Sequence, residues 1–357
     1  MKPVQLAPNL IDHFYRGGAK IAALRGLAGA GERQPEEWIA ATVSRFGEGD
    51  TGLARTVDGE LLRDLVAADP AGWLGTGPAA ALASLSGGER GAEPPVGGDS
   101  GMLLKLLDAG QRLPVHVHPD REIAPIQQGC TYGKTEAWVV LDADPGAAVH
   151  LGWRQDVDAA ELAARRDAQD GAWMLERMHR IEVTRGDGIL VPAGTVHAIG
   201  AGVFVLEAQE PTDFSILLEW SVTTETRDGS HLGLGFDTAM GAVDHHRLDE
   251  ERLRELVSHV DLDGPGPTPC LVEPAETFFR VVLAGTGVPV PSGFAALIVL
   301  AGDGALTGAG GSVALGAGQA WAVPAGFGDW TVTGPARVLA ARPGRNWPAD
   351  LVGVGAG

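Results

Sequence analysis

The stretch GQRLPVHVHPDREIAPIQQG, residues 110–129, decides the reading of this chain. Its centre, HVH, sets His116 and His118 one residue apart. In an extended backbone residues i and i+2 share a face, so the two imidazoles would stand side by side. Such a pair can serve a metal ion, or it can be an accident of sequence. Three further features bear on the choice. Gly110 lies six residues before the first histidine, Glu122 and Gly129 follow the pair, and His197 comes just after a Pro-x-Gly turn in GILVPAGTVH.

The flanks read mostly as strands. MLLKLLDA (102–109) is a buried strand that turns at Ala109-Gly110, and TEAWVVLDA (135–143) is another. IEVTRGDGILVPAGTVHAIGAGVFVLEAQ (181–209) reads strand, turn, strand, turn, strand. Residues 156–180 predict a helix, rich in Ala and Leu, with Asp at its front and Arg at its back. PEEWIAATVSRF (35–46) predicts a strand. GELLRDLVAADPAGWLG (59–75) predicts a helix with Leu61, Leu62, Leu65 and Val66 on one face, ended by Pro70. Residues 76–101 predict loop with a short helix, and 221–265 a polar stretch with a helix near 248–258. From 275 onward, short apolar runs alternate with glycine turns, the pattern of a second all-β unit.

The two β regions echo each other. GDGILVPAGTVH (186–197) and GQAWAVPAGFGD (318–329) both place Pro-x-Gly after a glycine and five residues, then a polar group two residues on. That group is His197 in the first and Asp329 in the second, and no HxH precedes the second. The expectation is two related β units, only one of them with a metal site.

Composition sets the bounds. A chain of 357 residues predicts two domains or one elaborated one. Lys and Arg total 27 against 46 Asp and Glu, a net charge of −19, which argues against nucleic acid or an anionic membrane as partner. Two distant cysteines, Cys130 and Cys270, give no disulfide framework, so a reducing, cytoplasmic compartment is expected. No apolar run has the length of a signal peptide or a membrane span. The 52 glycines and 23 prolines suit a turn-rich, mostly β fold.

Together the two histidine stretches resemble the paired signatures of the cupin barrels, G-x5-HxH-x3-E-x6-G and G-x5-PxG-x2-H. LLKLLDAGQRLPVHVHPD (103–120), GKTEAW (133–138) and VPAGTVHAIGAGVFVLEAQEPTD (191–213) further resemble the type I phosphomannose isomerases (mannose-6-phosphate isomerases). FYRGGAKIA (14–22) is similar to that family's WGG-containing opening, so the likeness spans nearly the whole chain. It implies two cupin, jelly-roll-like β-barrels with helical insertions. In that arrangement 1–100 packs on the first barrel, 101–265 is the metal-binding barrel with an insertion at about 156–180, and 266–357 is a metal-free second barrel.

The resemblance implies His116, His118, Glu136 and His197 as ligands of one Zn2+ per chain, with other divalent metals able to use the same set. The general cupin pattern would nominate Glu122 as the carboxylate; the isomerase pattern nominates Glu136. The implied reaction is aldose–ketose isomerisation, mannose 6-phosphate to fructose 6-phosphate, through an enediol(ate) that a metal stabilises. Lys105 and Lys134 are the catalytic candidates, and Glu207 and Gln209 the substrate-binding ones, the latter pair alternating onto one strand face. The partner is then a small sugar or sugar phosphate, and the chain a monomer or homodimer.

Two departures stand out. His116 occupies a position where the family usually has glutamine. TDFSILLEW (212–220) replaces the family's T-T-Y-R-x-Y-D continuation, so the arginine that lies near substrate there falls on Leu217. DGSHLGLGFD (228–237) also differs and nominates His231, Asp237 and Glu219 as residues of a replaced wall, while Arg16, Arg121 and Arg185 are candidate phosphate partners. Two alternatives follow: an isomerase of the same chemistry acting on another, unphosphorylated aldose, and a non-catalytic sugar-binding cupin.

Overall fold

The computed structural model describes residues 1–85 and 98–351. Of the expected loop and short helix over 76–101, the helix is Thr76–Leu85, and 86–97 fall outside the described residues. Among these residues the molecule is mostly β, in four sheets whose strand pairings are all antiparallel.

The sheet that carries half of the site is built around β4 (Leu103–Asp108), buried along its whole length. β3 (Glu36–Ile39) and then β2 (Leu10–Ile11) flank it on one side. On the other follow β11 (Val203–Gln209), β6 (Glu136–Ala143), β9 (Asp187–Val191) and β13 (Val257–His259). A five-stranded sheet supplies the other half, in the order β12 (Ile216–Leu217), β5 (His116–Val117), β10 (His197–Ile199), β7 (Ala148–Trp153), β8 (Met178–Glu182).

Beyond these lies a six-stranded sheet: β1 (Val4–Leu6), β19 (Ala320–Val323), β16 (Ala295–Ala301), β21 (Arg337–Pro343), β15 (Phe279–Leu283), β14 (Thr268–Pro269). A three-stranded sheet of β17 (Gly304–Gly308), β18 (Gly311–Leu315) and β20 (Trp330–Thr333) accompanies it. Strand alternation makes the six-stranded sheet a shared wall. Ala296, Ile298 and Leu339 enter the core that also holds Leu103, Leu106 and Val205. Leu297, Val299 and Val338 enter a second core with Trp330 and Phe327. The opening segment divides between sheets, β1 running along β19 while β2 and β3 extend the sheet of β4.

Some elements differ from the sequence expectation. The single helix over 156–180 is two, Ala159–Asp167 and Gly171–Arg177, followed by β8. Gln169 takes a left-handed φ of 54° between them, and Asp170 starts the second by accepting from the Trp173 N–H. Pro70 does not merely end the helix Leu62–Ala68; it is the first residue of the next, Pro70–Leu74, where its missing N–H costs nothing. The strand expected over 35–46 ends at Ile39, because Ala40 has φ 52°.

Candidate metal centre

The three histidines meet between the five- and seven-stranded sheets. His116 pairs directly with His197 across β5 and β10. His118 lies just past β5, where its carbonyl accepts from the Gly194 N–H of the Pro-x-Gly turn. Their ligand nitrogens all lie within 4.8 Å of one another, and all three residues are buried.

Backbone carbonyls fix the tautomers. His116 Nδ1 is 2.9 Å from Pro114 O, His118 Nδ1 2.6 Å from Phe214 O and His197 Nδ1 2.8 Å from Thr195 O. A carbonyl can only accept, so each Nδ1 carries the proton and each Nε2 presents a lone pair. Burial and the neighbouring rings push the His116 pKa well below its ordinary value; burial and then Lys134 bring His118 down to about 3. Both are neutral imidazoles at pH 7, the form that ligates.

Glu136 comes from the opposing sheet. Its Oε2 is 3.0 Å from His118 Nε2 and its Oε1 3.3 Å from His197 Nε2. The Trp138 indole, on the same strand face, donates to Oε1 at 3.1 Å. Burial alone would raise the Glu136 pKa, but His118, Lys134 and His197 hold it well below the usual range. His197 Nε2 and Glu136 Oε2 are buried without a hydrogen-bond partner. Orphaned buried acceptors beside three aligned lone pairs are what a cation would satisfy, and three imidazoles plus a carboxylate suit zinc. The residues therefore fit the metal. Glu122 is exposed at the head of the short helix Ile123–Gln127.

The lysines sit beside this cluster. Lys134 Nζ is 3.1 Å from His118 Nε2, 3.5 Å from Glu136 and 3.4 Å from Ser215 Oγ. Lys105 belongs to a row of facing residues across the sheet: Trp38, Lys105, Glu207, Trp138. Its ammonium lies 3.3 Å from Glu36, 3.7 Å from Asp213 and 5.0 Å from the Trp38 ring centre. Burial opposes that charge, yet Glu36, Glu207 and Asp213 raise the Lys105 pKa overall. For Glu36 burial is likewise outweighed, by Lys105 and His13, and its pKa falls below the carboxylate range. Glu207 goes the other way, pushed well up by burial and by the charge of Glu136.

Glu207 and Gln209 do share a face with Glu136 and Trp138. Glu207 lines the cavity; the Gln209 amide instead donates to the Thr212 carbonyl and ties down the loop before Asp213. Leu217 stands directly opposite His116 and borders the same cavity. Glu219 is not on that wall; it holds Arg112 bidentately at 2.7 and 2.8 Å. His231 and Asp237 do not line that cavity, and the Arg121 side chain is spent on Glu210 at 2.6 Å.

Sequence reasoning missed His13, Tyr15, Glu36 and Asp213. The Tyr15 hydroxyl donates to Glu36 at 2.5 Å, and His13 Nε2 lies 3.4 Å from the same carboxylate. All four line a cavity of about 420 Å³, partly open to solvent, together with His116, Lys134 and Glu136. Glu36 was findable: it precedes Trp38 by two in a strand, so both share a face. Asp213 and His13 lie in loop-like stretches with no such signal.

Fold and site thus define a mostly β, antiparallel protein with an interior cluster of three histidines and a glutamate beside a cavity partly open to solvent. No protein-family model matches the chain. It is 28% identical over 246 residues to the probable mannose-6-phosphate isomerase GmuF of Bacillus subtilis, covering 68% of this chain and 75% of that one. It is 40% identical over 112 residues to mannose-6-phosphate isomerase ManA of Bacillus subtilis, a stretch amounting to 31% of this chain and 34% of that relative. Among solved structures, the mannose 6-phosphate isomerase from Bacillus subtilis superposes with a TM-score of 0.68 at 21% identity, over 96% of this chain and 100% of that one. A mannose 6-phosphate isomerase bound with zinc and yttrium superposes with a TM-score of 0.68 at 13% identity, over 96% of this chain and 100% of the other. The chain is a divergent relative of the mannose-6-phosphate isomerases, which are aldose–ketose isomerases.

Proposed function

We propose that the protein is a zinc-dependent aldose–ketose isomerase of the mannose–fructose type, with His116, His118, Glu136 and His197 as the metal ligands. The observation that carries this is the set of three Nε2 lone pairs, each fixed by a backbone carbonyl, converging beside the Glu136 carboxylate at the edge of a cavity that His116 and Glu136 line. The relatives' names supply mannose 6-phosphate as the first sugar to try.

The reaction moves a proton between C2 and C1 of the sugar, and negative charge passes through an enediolate. Bound zinc supplies Lewis acidity toward the sugar oxygens. The chain supplies the rest. Lys105 and Lys134 place ammonium groups at the cavity wall, where developing oxyanion charge is stabilised in a site shielded from water. Glu36 and Asp213 hold Lys105 in place, which keeps its charge on the cavity side of the sheet. Glu207, with an unpartnered Oε2 at the wall, binds a sugar hydroxyl; Gln209 positions the loop that carries Asp213.

The test is ketose formation from mannose and mannose 6-phosphate, before and after removal of the metal with a chelator. Loss of turnover on stripping and its return with zinc is expected. Undiminished turnover in fully stripped protein would contradict the proposal, as would binding of both sugars with no turnover of either.

A further inference from the structure

The inner cavity continues into a larger outer cleft of about 850 Å³, partly open to solvent. The two share His13, Phe14, Asp213, Ser215 and Leu217 as common wall. A hexose with its carbonyl end at the histidine cluster must point its C6 end toward that junction. What the junction offers therefore decides whether C6 carries a phosphate or a hydroxyl.

We infer that the site takes an aldose whose far end is an uncharged hydroxyl rather than a phosphate; this deepens, and rests on, the isomerase reading above. The cations come first. Among the described residues lining either space, Lys105 is held by Glu36 and Asp213, Lys134 faces Glu136 at 3.5 Å, and Arg45 lies between Glu48 at 3.4 Å and Asp213 at 3.9 Å. Arg45 also donates to the Asp12 carbonyl at 2.7 Å. Lys105 and Arg45 are thus held by carboxylates, and Lys134 sits at the histidine cluster, the carbonyl end of the sugar, 3.1 Å from His118 Nε2. A phosphate dianion needs uncommitted cations or a fork of donors, and Leu217 offers neither.

The remaining charge has the wrong sign for phosphate. Glu48, Asp213 and Glu225 all line the outer cleft, with Arg45 the one Lys or Arg side chain among its lining residues. An unsatisfied atom agrees. His13 Nδ1 is buried with no partner, its side chain is 8% exposed, and it borders both spaces. With Nε2 turned to Glu36, that Nδ1 is an acceptor. A sugar hydroxyl can donate to it; the oxygens of a phosphate dianion can only accept. Phe46, 52% exposed and set edge-on to Phe214 at 5.3 Å, adds an apolar face of the kind a pyranose ring packs against.

The experiment is steady-state kinetics of the zinc-loaded protein on free mannose and on mannose 6-phosphate, with calorimetric binding of each sugar alongside. The inference expects kcat/KM at least about tenfold higher for the free sugar, with no inhibition by millimolar inorganic phosphate. A preference for the phosphorylated sugar overturns the inference and leaves the isomerase reading standing. Turnover of neither sugar removes the isomerase reading, and the inference with it. Two variants add charge at the junction. Leu217→Arg tests the buried position, and Glu48→Lys tests the exposed rim without disturbing the core. Each is expected to shift the ratio of kcat/KM values toward mannose 6-phosphate by about tenfold. An unchanged ratio in a folded Glu48→Lys protein would count against the inference.

Discussion

At the scale of single residues, the site rests on tautomers and on one ionic cluster. Because Phe214 O holds His118 Nδ1, His118 needs no rearrangement to ligate. His118→Ala is expected to lower zinc affinity by at least about 100-fold while leaving the fold intact, read by metal content after dialysis. Retention of stoichiometric zinc would contradict the ligand set. Lys105 is a different case. Removing its charge as Lys105→Met leaves Glu36 buried without its nearest ammonium, expected to destabilise by about 3–5 kcal/mol. The double variant Lys105→Met/Glu36→Gln should recover part of that loss, which thermal melts would show. The histidines of HVH and His197 were legible as a constellation because their spacing carries face and turn information. His13 was not, since nothing in LIDHFYRG separates it from a solvated loop residue.

At the scale of elements, the two glycines of the first motif do different physical work. A Cβ on Gly110 would stand 2.1 Å from the Gly17 carbonyl oxygen, so the opening GG segment could not lie against the turn that leads into β5. Gly129 has φ 66° with open space around it. Gly110→Ala is therefore expected to destabilise by about 3 kcal/mol or more through forced backbone movement, whereas Gly129→Ala carries only the left-handed strain of about 1–2 kcal/mol. Equal effects in paired melts would show that the close approach is not there. Strand alternation was the most readable feature: it put Glu207 beside Gln209 and Glu136 beside Trp138 on one face. Helix continuity was the least readable. Nothing in the Ala-rich run over 156–180 announces a left-handed Gln169, which takes its place through contacts with the distant Trp220 and Ser221 amides.

At the scale of the whole molecule, the site lies where two sheets face each other, and buried imidazoles bind the fold to pH. Burial lowers the His13 pKa, with Glu36 and Asp213 only partly opposing it. A histidine whose folded pKa lies below its unfolded value binds fewer protons folded than unfolded. Its stabilising effect is therefore complete above about pH 6.5 and fades as pH falls below that. Metal-free protein should melt at a lower temperature at pH 5 than at pH 7, and His13→Gln should flatten that slope. A slope unchanged in the variant would show that folding does not shift the titration of His13. The mostly β character followed from composition and from the glycine-punctuated apolar runs. The way the six-stranded sheet serves two cores did not, because which strands neighbour one another across 300 residues is set by packing rather than by local pattern.

The measurement that tests the central claim most directly is proton NMR in D2O, with mannose supplied to zinc-loaded protein and to the same protein stripped of metal. The account predicts loss of the aldose C2 proton and deuterium entering C1 of the ketose as it appears, only with metal and not in His118→Ala. Exchange at C2 that persists without metal, or ketose formed with no solvent deuterium and no dependence on His118, would contradict it.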